Sequence, residues 1–404
     1  MSRITYTNKS DQLIQYLLIA LGFFLPLSVA LGNVLIVMII VVFAFSGELS
    51  SKNLLKIINN KIILAGLLFY LGHVIGMIWT ENIAWGMVIL RKMIDFLVFL
   101  PILWLVTKRE NSIFYIGAFL LAIFITSVYS LLMSIEILEP FNNGSSIDPT
   151  PFMSRISHGP IMAFAFYLQV KLLLEKSNSK LINFFLIISS LITFYSIFAS
   201  GGRAGYVSFF LAIFFIFFQK YKLSIRNFLA ILLANIILIY ILAISSTVFS
   251  ERITDAAVSF QSFLSEKRVN TSVGLRSAFV FHSSQIIHNN LVFGVGTGDF
   301  PDEYKKININ SDYKTMNITQ PHNMHILVLA QNGVFGYFLL LLFFASLARQ
   351  SFKNQEKLYK DLGLFLPVLF FIICFSDSYL LGHYTTFLLI FFSSFIYKFN
   401  LEKK

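Results

Sequence analysis

Charged residues and cysteine are scarce in this 404-residue chain. Only 13% of the residues are charged, against about 25% in soluble domains. Cys374 is the only cysteine, which excludes a secreted domain held together by disulfides. Hydrophobic residues make up 57% of the chain, 46 of them Phe. A soluble protein of this length could not bury so much apolar surface, so the composition predicts a polytopic membrane protein and excludes an ordinary cytosolic enzyme.

The apolar residues fall into about twelve stretches of roughly 20 residues, the length of helix that crosses a bilayer. The sequence therefore predicts an all-α polytopic membrane protein with about twelve transmembrane helices. The predicted spans are Asp11–Ala30, Leu31–Ser46, Lys61–Trp79, Gly86–Val106, Ser112–Ser134, Gly159–Leu174, Leu181–Ala199, Ala204–Phe218, Asn227–Val248, Asn323–Ala345, Leu362–Tyr379 and Leu381–Tyr397.

The formal net charge of +11 follows the loops. With the N-terminus in the cytoplasm, the cytoplasmic segments hold twenty Lys and Arg against seven Asp and Glu. Short loops rich in Lys and Arg stay inside, so both termini are predicted to be cytoplasmic. The cytoplasmic loops therefore explain the excess of positive charge, and no nucleic-acid partner is needed to account for it.

One segment outside the membrane is far longer than the others. Transmembrane helices 1–9 fill residues 1–248, and helices 10–12 fill residues 322–404. Between them, residues 249–321 form a predicted periplasmic loop, hereafter the cap segment, in which Gly274–Asn290 reads as a helix and GVGTGDF (294–300) as a turn. Structureless loops of this length are uncommon in compact proteins. The cap segment is therefore predicted to be ordered, with the chemistry on its side of the membrane.

Arg203 opens the eighth span in the sequence SGGRAG. Gly201 and Gly202 allow backbone amides to approach a ligand, and a helix N-terminus favours an anion. An Arg fork can bind two phosphate oxygens at once. The pattern predicts a phosphate site, and the alternative is an interfacial Arg that reaches lipid headgroups.

A second cluster of candidates stands where the cap segment enters the tenth span, in the sequence PHNMH (321–325). Pro321 suits a helix start, which leaves His322 beside the unpaired amides of the first turn. That positive end favours neutral imidazole, the form of a general base. His325 could orient a partner or only pack. For His322 the alternative role is an interfacial His bonded to a loop carbonyl.

Weaker candidates lie near the same side of the membrane. Arg276 is in the cap segment, and Arg91 and Lys92 are near the outer end of the fourth span, where Arg91 could simply pair with Asp95. Each of these charges could bind substrate, and the alternative is a solvated charge in a loop or at the membrane interface.

The sixth and eleventh spans supply three further candidates. Arg155 and His158 flank the start of the sixth span and could line a cavity mouth. Asp377 could be a second carboxylate or the structural partner of an Arg. Two adjacent His without a Cys or carboxylate cluster do not make a metal site, so no metal or other cofactor is predicted.

Four motifs together resemble the O-antigen ligase family, which shares its C-terminal region with O-antigen polymerases. They are SGGRAGY (200–206), GLRSAF (274–279), FGVGTGDF (293–300) and PHNMHILVLAQNGVFG (321–336). In that family the functional residues are an Arg that opens a helix, an Arg in the large periplasmic loop and a His just after it. These correspond here to Arg203, Arg276 and His322, and a basic residue of the fourth span corresponds to Arg91 or Lys92.

The resemblance implies a fold similar to C-type glycosyltransferases in a bacterial inner membrane. It also implies transfer of a glycan from an undecaprenyl-pyrophosphate carrier to a sugar hydroxyl of lipid A–core, at the periplasmic face and without ATP or metal. Direct attack would invert the anomeric centre. Arg residues would stabilise the pyrophosphate, and His322 would be the general base.

Two other functions stay open at this point. An O-antigen polymerase would use the same donor but extend the lipid-linked glycan. A transporter of lipid-linked sugars would place ionisable residues near the bilayer midplane in paired, interrupted helices. Here the ionisable candidates gather at the outer rim instead.

Overall fold

The computed structural model describes residues 8–46, 51–142, 144–175, 179–221, 224–266 and 269–398. Within those ranges the chain is helical and contains no strand, which confirms the all-α prediction. The outermost terminal residues, on which the prediction of two cytoplasmic termini depends, lie outside the described ranges.

Seventeen α-helices follow one another in the described part of the chain. They are α1 Lys9–Phe24, α2 Val29–Phe45, α3 Ser51–Ile58, α4 Lys61–Gly76, α5 Ile83–Lys92, α6 Leu100–Val106, α7 Ser112–Ser134, α8 Arg155–Leu173, α9 Lys180–Ala199, α10 Arg203–Lys220, α11 Ile225–Ser245, α12 Thr247–Glu266, α13 Ser272–Asn289, α14 Phe300–Ile309, α15 Met324–Ser351, α16 Lys357–Ile373 and α17 His383–Ile396. Short 3₁₀ turns cover Met77–Trp79 and Tyr379–Leu381.

Each predicted span contains helix, but not each is long and apolar enough to count as a membrane crossing by itself. Six helical segments of the described chain meet that standard. They are Lys61–Trp79, Ser112–Ser134, Lys180–Ala199, Arg203–Lys220, Ile225–Ser245 and Met324–Ser351. These six support a polytopic membrane protein, and the count of about twelve spans stays a prediction.

The predicted fourth span is not one continuous helix. It consists of α5, a π-helical turn at Asp95–Phe99 and α6. A π turn shifts the helical register, and such turns occur frequently at functional sites.

Aromatic side chains hold the helices together. Phe164 of α8 packs edge-on against Phe392 of α17, with ring centroids 4.8 Å apart, and Phe119 of α7 contacts the same ring at 5.1 Å. One turn further along the same face of α8, Tyr167 stacks on Phe365 of α16 with ring centroids 3.9 Å apart. The many Phe residues of the sequence therefore build a packed interior around α8.

Helices α8 and α10 touch backbone to backbone at Gly159 and Gly205. A Cβ atom on Gly159 would lie 2.6 Å from the Cα of Gly205, and one on Gly205 would lie 2.8 Å from the Cα of Gly159. Small residues permit this close approach between membrane helices. Because Arg155 is the first residue of α8 and Arg203 the first of α10, the contact holds those two arginines near each other.

We expect Gly159→Ala to destabilise the protein, because the added methyl group forces α8 and α10 apart. Overpacking of this kind costs about 1–3 kcal/mol, so the apparent melting temperature in detergent should fall. Gly117→Ala is the matched control, since a Cβ there meets no atom within 4 Å. Equal melting temperatures for both variants would contradict the close contact.

Helices α12, α13 and α14 lie in or at the border of the cap segment. The predicted helix at Gly274–Asn290 is confirmed as α13, and GVGTGDF is the turn between α13 and α14. Asp299 ends that turn and accepts hydrogen bonds from the backbone N–H groups of Glu81 and Asn82, at 3.0 and 2.7 Å. The cap segment is thereby anchored to the start of α5.

Candidate functional site

A cavity of about 200 Å³ lies where α8, α10, α12 and α13 begin. Each of the four helices contributes one arginine to its wall: Arg155, Arg203, Arg252 and Arg276. All four side chains are partly exposed. We call this space the arginine cavity.

Two helix N-termini point at the arginine cavity. The N-cap residues of α8 and α10 are Ser154, whose side chain makes no capping hydrogen bond within the described residues, and Gly202, which has no side chain to cap the first turn. Unpaired amides and the helix dipole place partial positive charge there. The contact of Gly159 with Gly205 brings the two ends together, so the backbone reinforces the guanidinium charges.

Gly201 makes room for the third arginine. Its φ is +65°, in the left-handed region that favours glycine. A Cβ atom at this position would lie 3.2 Å from Nε of Arg252. The glycine therefore allows the backbone to turn before α10, and it leaves space for the side chain of Arg252 from α12.

Positive charge in the arginine cavity is only partly neutralised. The pair formed by Arg155 and Asp148 has an N···O separation of 3.7 Å. Burial raises the pKa of the Asp148 carboxyl, while the nearby charges of Arg155 and Arg252 oppose that rise. Arg203 also lies within electrostatic range of Asp255, and its Nε is buried without a hydrogen-bond partner within the described residues. Four arginines against two carboxylates leave a net positive site suited to a multiply charged anion.

His322 and Asp377 form a hydrogen-bonded pair. Nδ1 of the imidazole lies 3.1 Å from Oδ2 of the carboxylate, whose Oδ1 accepts the backbone N–H of Ser378 at 2.6 Å. A carboxylate only accepts hydrogen bonds, so Nδ1 carries the proton and Nε2 is the basic nitrogen. Among described residues, no hydrogen bond occupies Nε2, and the imidazole is 35% exposed. The ring can therefore take a proton from a bound group.

The backbone at His322 adopts an uncommon conformation. Its φ is +51°, which is rare for residues other than glycine, although His is among those enriched there. Such conformations cluster at functional sites. Two neighbouring hydrogen bonds hold it. The side-chain Nδ2 of Asn323 donates to the carbonyl of Phe375 at 3.0 Å, and the backbone N–H of Met324 donates to the carbonyl of Cys374 at 2.8 Å.

The His322–Asp377 pair is next to the arginine cavity. On α13, Phe279 stacks on the His322 ring with centroids 6.0 Å apart, and Arg276 is three residues earlier on the same helical face. After α16, Ser376 and Tyr379 line the cavity on either side of Asp377. The His322–Asp377 pair and the arginine cavity thus share two walls.

Predicted residues fall into three groups in the structure. Arg155, Arg203 and Arg276 line the arginine cavity, and His322 with Asp377 stands beside it. The sequence left open whether Asp377 acts as a second carboxylate or pairs with an Arg, and the structure pairs it with His322.

The other four predicted residues lie elsewhere. His158 is fully buried with Nε2 2.9 Å from Oγ of Ser196, and Nε2 of His325 lies 2.9 Å from the carbonyl of Phe371. Both therefore take part in helix packing. The remaining two, Arg91 and Lys92, are exposed at the end of α5 and do not line the arginine cavity.

Arg252 is the cavity arginine that was not among the candidates predicted from the sequence. It stands near the start of α12, a few residues after the end of the predicted ninth span. An Arg so close to the outer end of a span is uncommon under the charge rule, and that signal could have identified it.

A larger cavity on the same side of the molecule has the opposite character. Its volume is about 760 Å³, and four carboxylates line it against one lysine, Lys306. The acidic residues are Glu81, Asp299, Asp302 and Glu303. Repulsion from these groups makes it unsuitable for a pyrophosphate, so size alone does not identify the anion site. No group of three potential metal ligands was found in the part of the chain that the structure describes.

Part of the chain matches a known protein family. Residues 188–341 match a family model described as O-antigen ligase. The matched region runs from α9 into α15 and includes Arg203, Arg252, Arg276 and His322, whereas Asp377 lies beyond it. No curated protein matches the chain. Members of that family are membrane glycosyltransferases of the ligase or polymerase type, and the chain is similar to the family over residues 188–341.

Proposed function

We propose that the protein is an O-antigen ligase that moves a glycan from an undecaprenyl-pyrophosphate carrier to a sugar hydroxyl of lipid A–core. The observation that carries the proposal is the placement of a His–Asp pair beside a cavity with four arginines. The arginine cavity suits a pyrophosphate, and the His322–Asp377 pair suits a hydroxyl. Glycosyl transfer from a lipid pyrophosphate to a sugar hydroxyl needs both.

The arginine cavity would hold the pyrophosphate of the donor. When the bond between the anomeric carbon and the phosphate oxygen breaks, negative charge grows on that oxygen. Arg203, Arg276 and the amides at the start of α10 would stabilise this charge. Guanidinium groups perform this task at any physiological pH because they stay protonated, and the step uses no ATP.

His322 would activate the acceptor. Its Nε2 accepts the proton of the acceptor hydroxyl while the hydroxyl oxygen forms a bond to the anomeric carbon. Asp377 holds the ring through Nδ1 and stabilises the imidazolium that results. The proton can then leave to water or to the released pyrophosphate.

A single displacement fits the carboxylates at this site. A double displacement would need a carboxylate free to attack the anomeric carbon, but both oxygens of Asp377 already accept hydrogen bonds. We therefore expect inversion at the anomeric centre. Product linkage, determined by NMR against a donor of known configuration, would reveal retention if a covalent intermediate forms.

The test of the function uses purified protein in nanodiscs, supplied with carrier-linked glycan and lipid A–core in the absence of ATP. We expect glycan to appear on lipid A–core, detected as a mass increase of the acceptor. Lengthening of the carrier-linked glycan with unchanged lipid A–core would instead identify an O-antigen polymerase. Movement of the donor across the bilayer without either product would identify a transporter.

A deletion strain separates ligase from polymerase in the cell. Loss of a ligase leaves bare lipid A–core and accumulates carrier-linked polymer, whereas loss of a polymerase leaves lipid A–core with one repeat unit. We expect bare core on gel electrophoresis of the lipopolysaccharide. Core capped by a single repeat would contradict the ligase assignment.

A further inference from the structure

A groove of about 340 Å³ runs between α4 and α15, far from the arginine cavity. The two helices are antiparallel: Gly66 of α4 faces Phe343, and Gly72 faces Leu339. The start of α4 therefore lies beside the end of α15. The other end of α4, at Gly76, contacts Thr297 of the cap segment. The groove therefore opens at the face of the bundle opposite the cap segment, which the charge pattern predicts to be cytoplasmic.

Three cations surround one end of the groove. Lys61 is the first residue of α4, Arg349 is in the last turn of α15, and Lys353 follows that helix. All three side chains are exposed. Among the described residues, no carboxylate lines the groove and none forms an ion pair with any of the three cations.

Three other cations on this face pair with carboxylates of this chain. Lys171 pairs with Asp361, and Arg109 lies 3.3 Å from Glu356. Lys108 pairs with Asp11 at 2.5 Å. These pairs join helices to one another, whereas the cations of the groove face outward and are available to an external anion.

The rest of the groove is apolar and open. Leu64 and Leu342 are 40% and 37% exposed and form its walls together with Leu68 and Ala345. A free inorganic anion would leave these side chains uncovered. A ligand that fills the whole groove must join an anionic group at one end to a hydrocarbon chain along the other.

We propose that this groove binds an anionic membrane phospholipid. The lipid phosphate lies among Lys61, Arg349 and Lys353, and one acyl chain lies along Leu64, Leu68 and Leu342. Basic pockets between transmembrane helices at the cytoplasmic side bind such headgroups. The site is separate from the proposed transfer reaction, and its occupant is a structural lipid of the inner leaflet.

The experiment measures lipid binding by native mass spectrometry in detergent. Phosphatidylglycerol and phosphatidylcholine with identical acyl chains are added in equal amounts, and the ratio of the two bound lipids is read directly. We expect wild type to prefer phosphatidylglycerol. Lys61→Ala, Arg349→Ala and Lys353→Ala should each reduce that preference by about fivefold.

Two further variants separate a site from general surface charge. Lys180→Ala and Arg226→Ala remove exposed cations on the same predicted face outside the groove, and we expect the preference to persist. Ala345→Trp fills the groove without a charge change, and we expect it to lower the binding of phosphatidylglycerol. Melting temperatures in the same detergent confirm that each variant is folded.

Three results would overturn the proposal. The first is equal binding of both lipids by wild type. The second is an equal loss of preference in the groove variants and in the two control variants, which would indicate only surface electrostatics. The third is unchanged lipid binding by Ala345→Trp, which would show that no acyl chain occupies the groove.

Discussion

Replacing His322 with Ala should lower the rate of glycan transfer by about 10²–10⁴-fold, the usual contribution of a general base. In the structure Nε2 is the only basic nitrogen that the His322–Asp377 pair leaves open. A lost base affects the chemical step rather than ground-state binding, so kcat should fall while the Kd for the donor stays within about twofold. Single-turnover transfer to lipid A–core, with donor binding measured separately, checks this.

Two further variants sharpen the test. Asp377→Asn keeps the shape of the side chain but can present an N–H to Nδ1, which disfavours the required tautomer, so it should also lower kcat. His288→Ala removes an exposed imidazole on α13 and should leave transfer unchanged. If His322→Ala retains wild-type kcat, or if it loses donor binding in proportion to its rate, His322 is not the base.

The sequence predicts the helices of the membrane part well, because apolar runs of about 20 residues have few alternatives to a helix. Prediction was weaker wherever a helix lacks a long apolar run. The helix α13 was expected, whereas α12 and α14, with their polar sequences, were not. The sequence also gives no signal for the π turn at Asp95–Phe99, because the four residues that follow Asp95 are as apolar as those of a regular span.

In the candidate site, too, the sequence identifies only what a local pattern marks. Motif residues such as Arg203, Arg276 and His322 could be identified because local sequence marks each one. Their partners could not, because a contact across 55 positions, as between His322 and Asp377, leaves no local signal. The contact of Gly159 with Gly205 is similar, since each glycine alone reads only as a helix residue with low propensity.

Replacing Arg203 with Ala should lower transfer by about 10²–10³-fold, the cost of removing one group that stabilises charge in a transition state. Arg203 combines a guanidinium at the first residue of α10 with a buried, unpartnered Nε and the free amides of the helix start. The substitution also reduces the net positive charge that holds the pyrophosphate, so donor affinity should fall together with kcat. Arg203→Lys should recover part of the affinity but little of the rate, because an ammonium cannot form the two parallel bonds of an Arg fork.

Arg252→Ala tests whether the anion site is the whole cavity or Arg203 alone. Arg252 enters beside Gly201 from another helix, so we expect it to weaken donor binding more than it slows the chemical step. Arg226→Ala removes an arginine from the start of α11, outside the arginine cavity, and serves as the control. A shared anion site requires both cavity variants to bind a soluble pyrophosphate analogue more weakly than wild type and Arg226→Ala. If Arg203→Ala and Arg252→Ala bind the analogue as tightly as wild type, the arginine cavity does not hold the donor pyrophosphate.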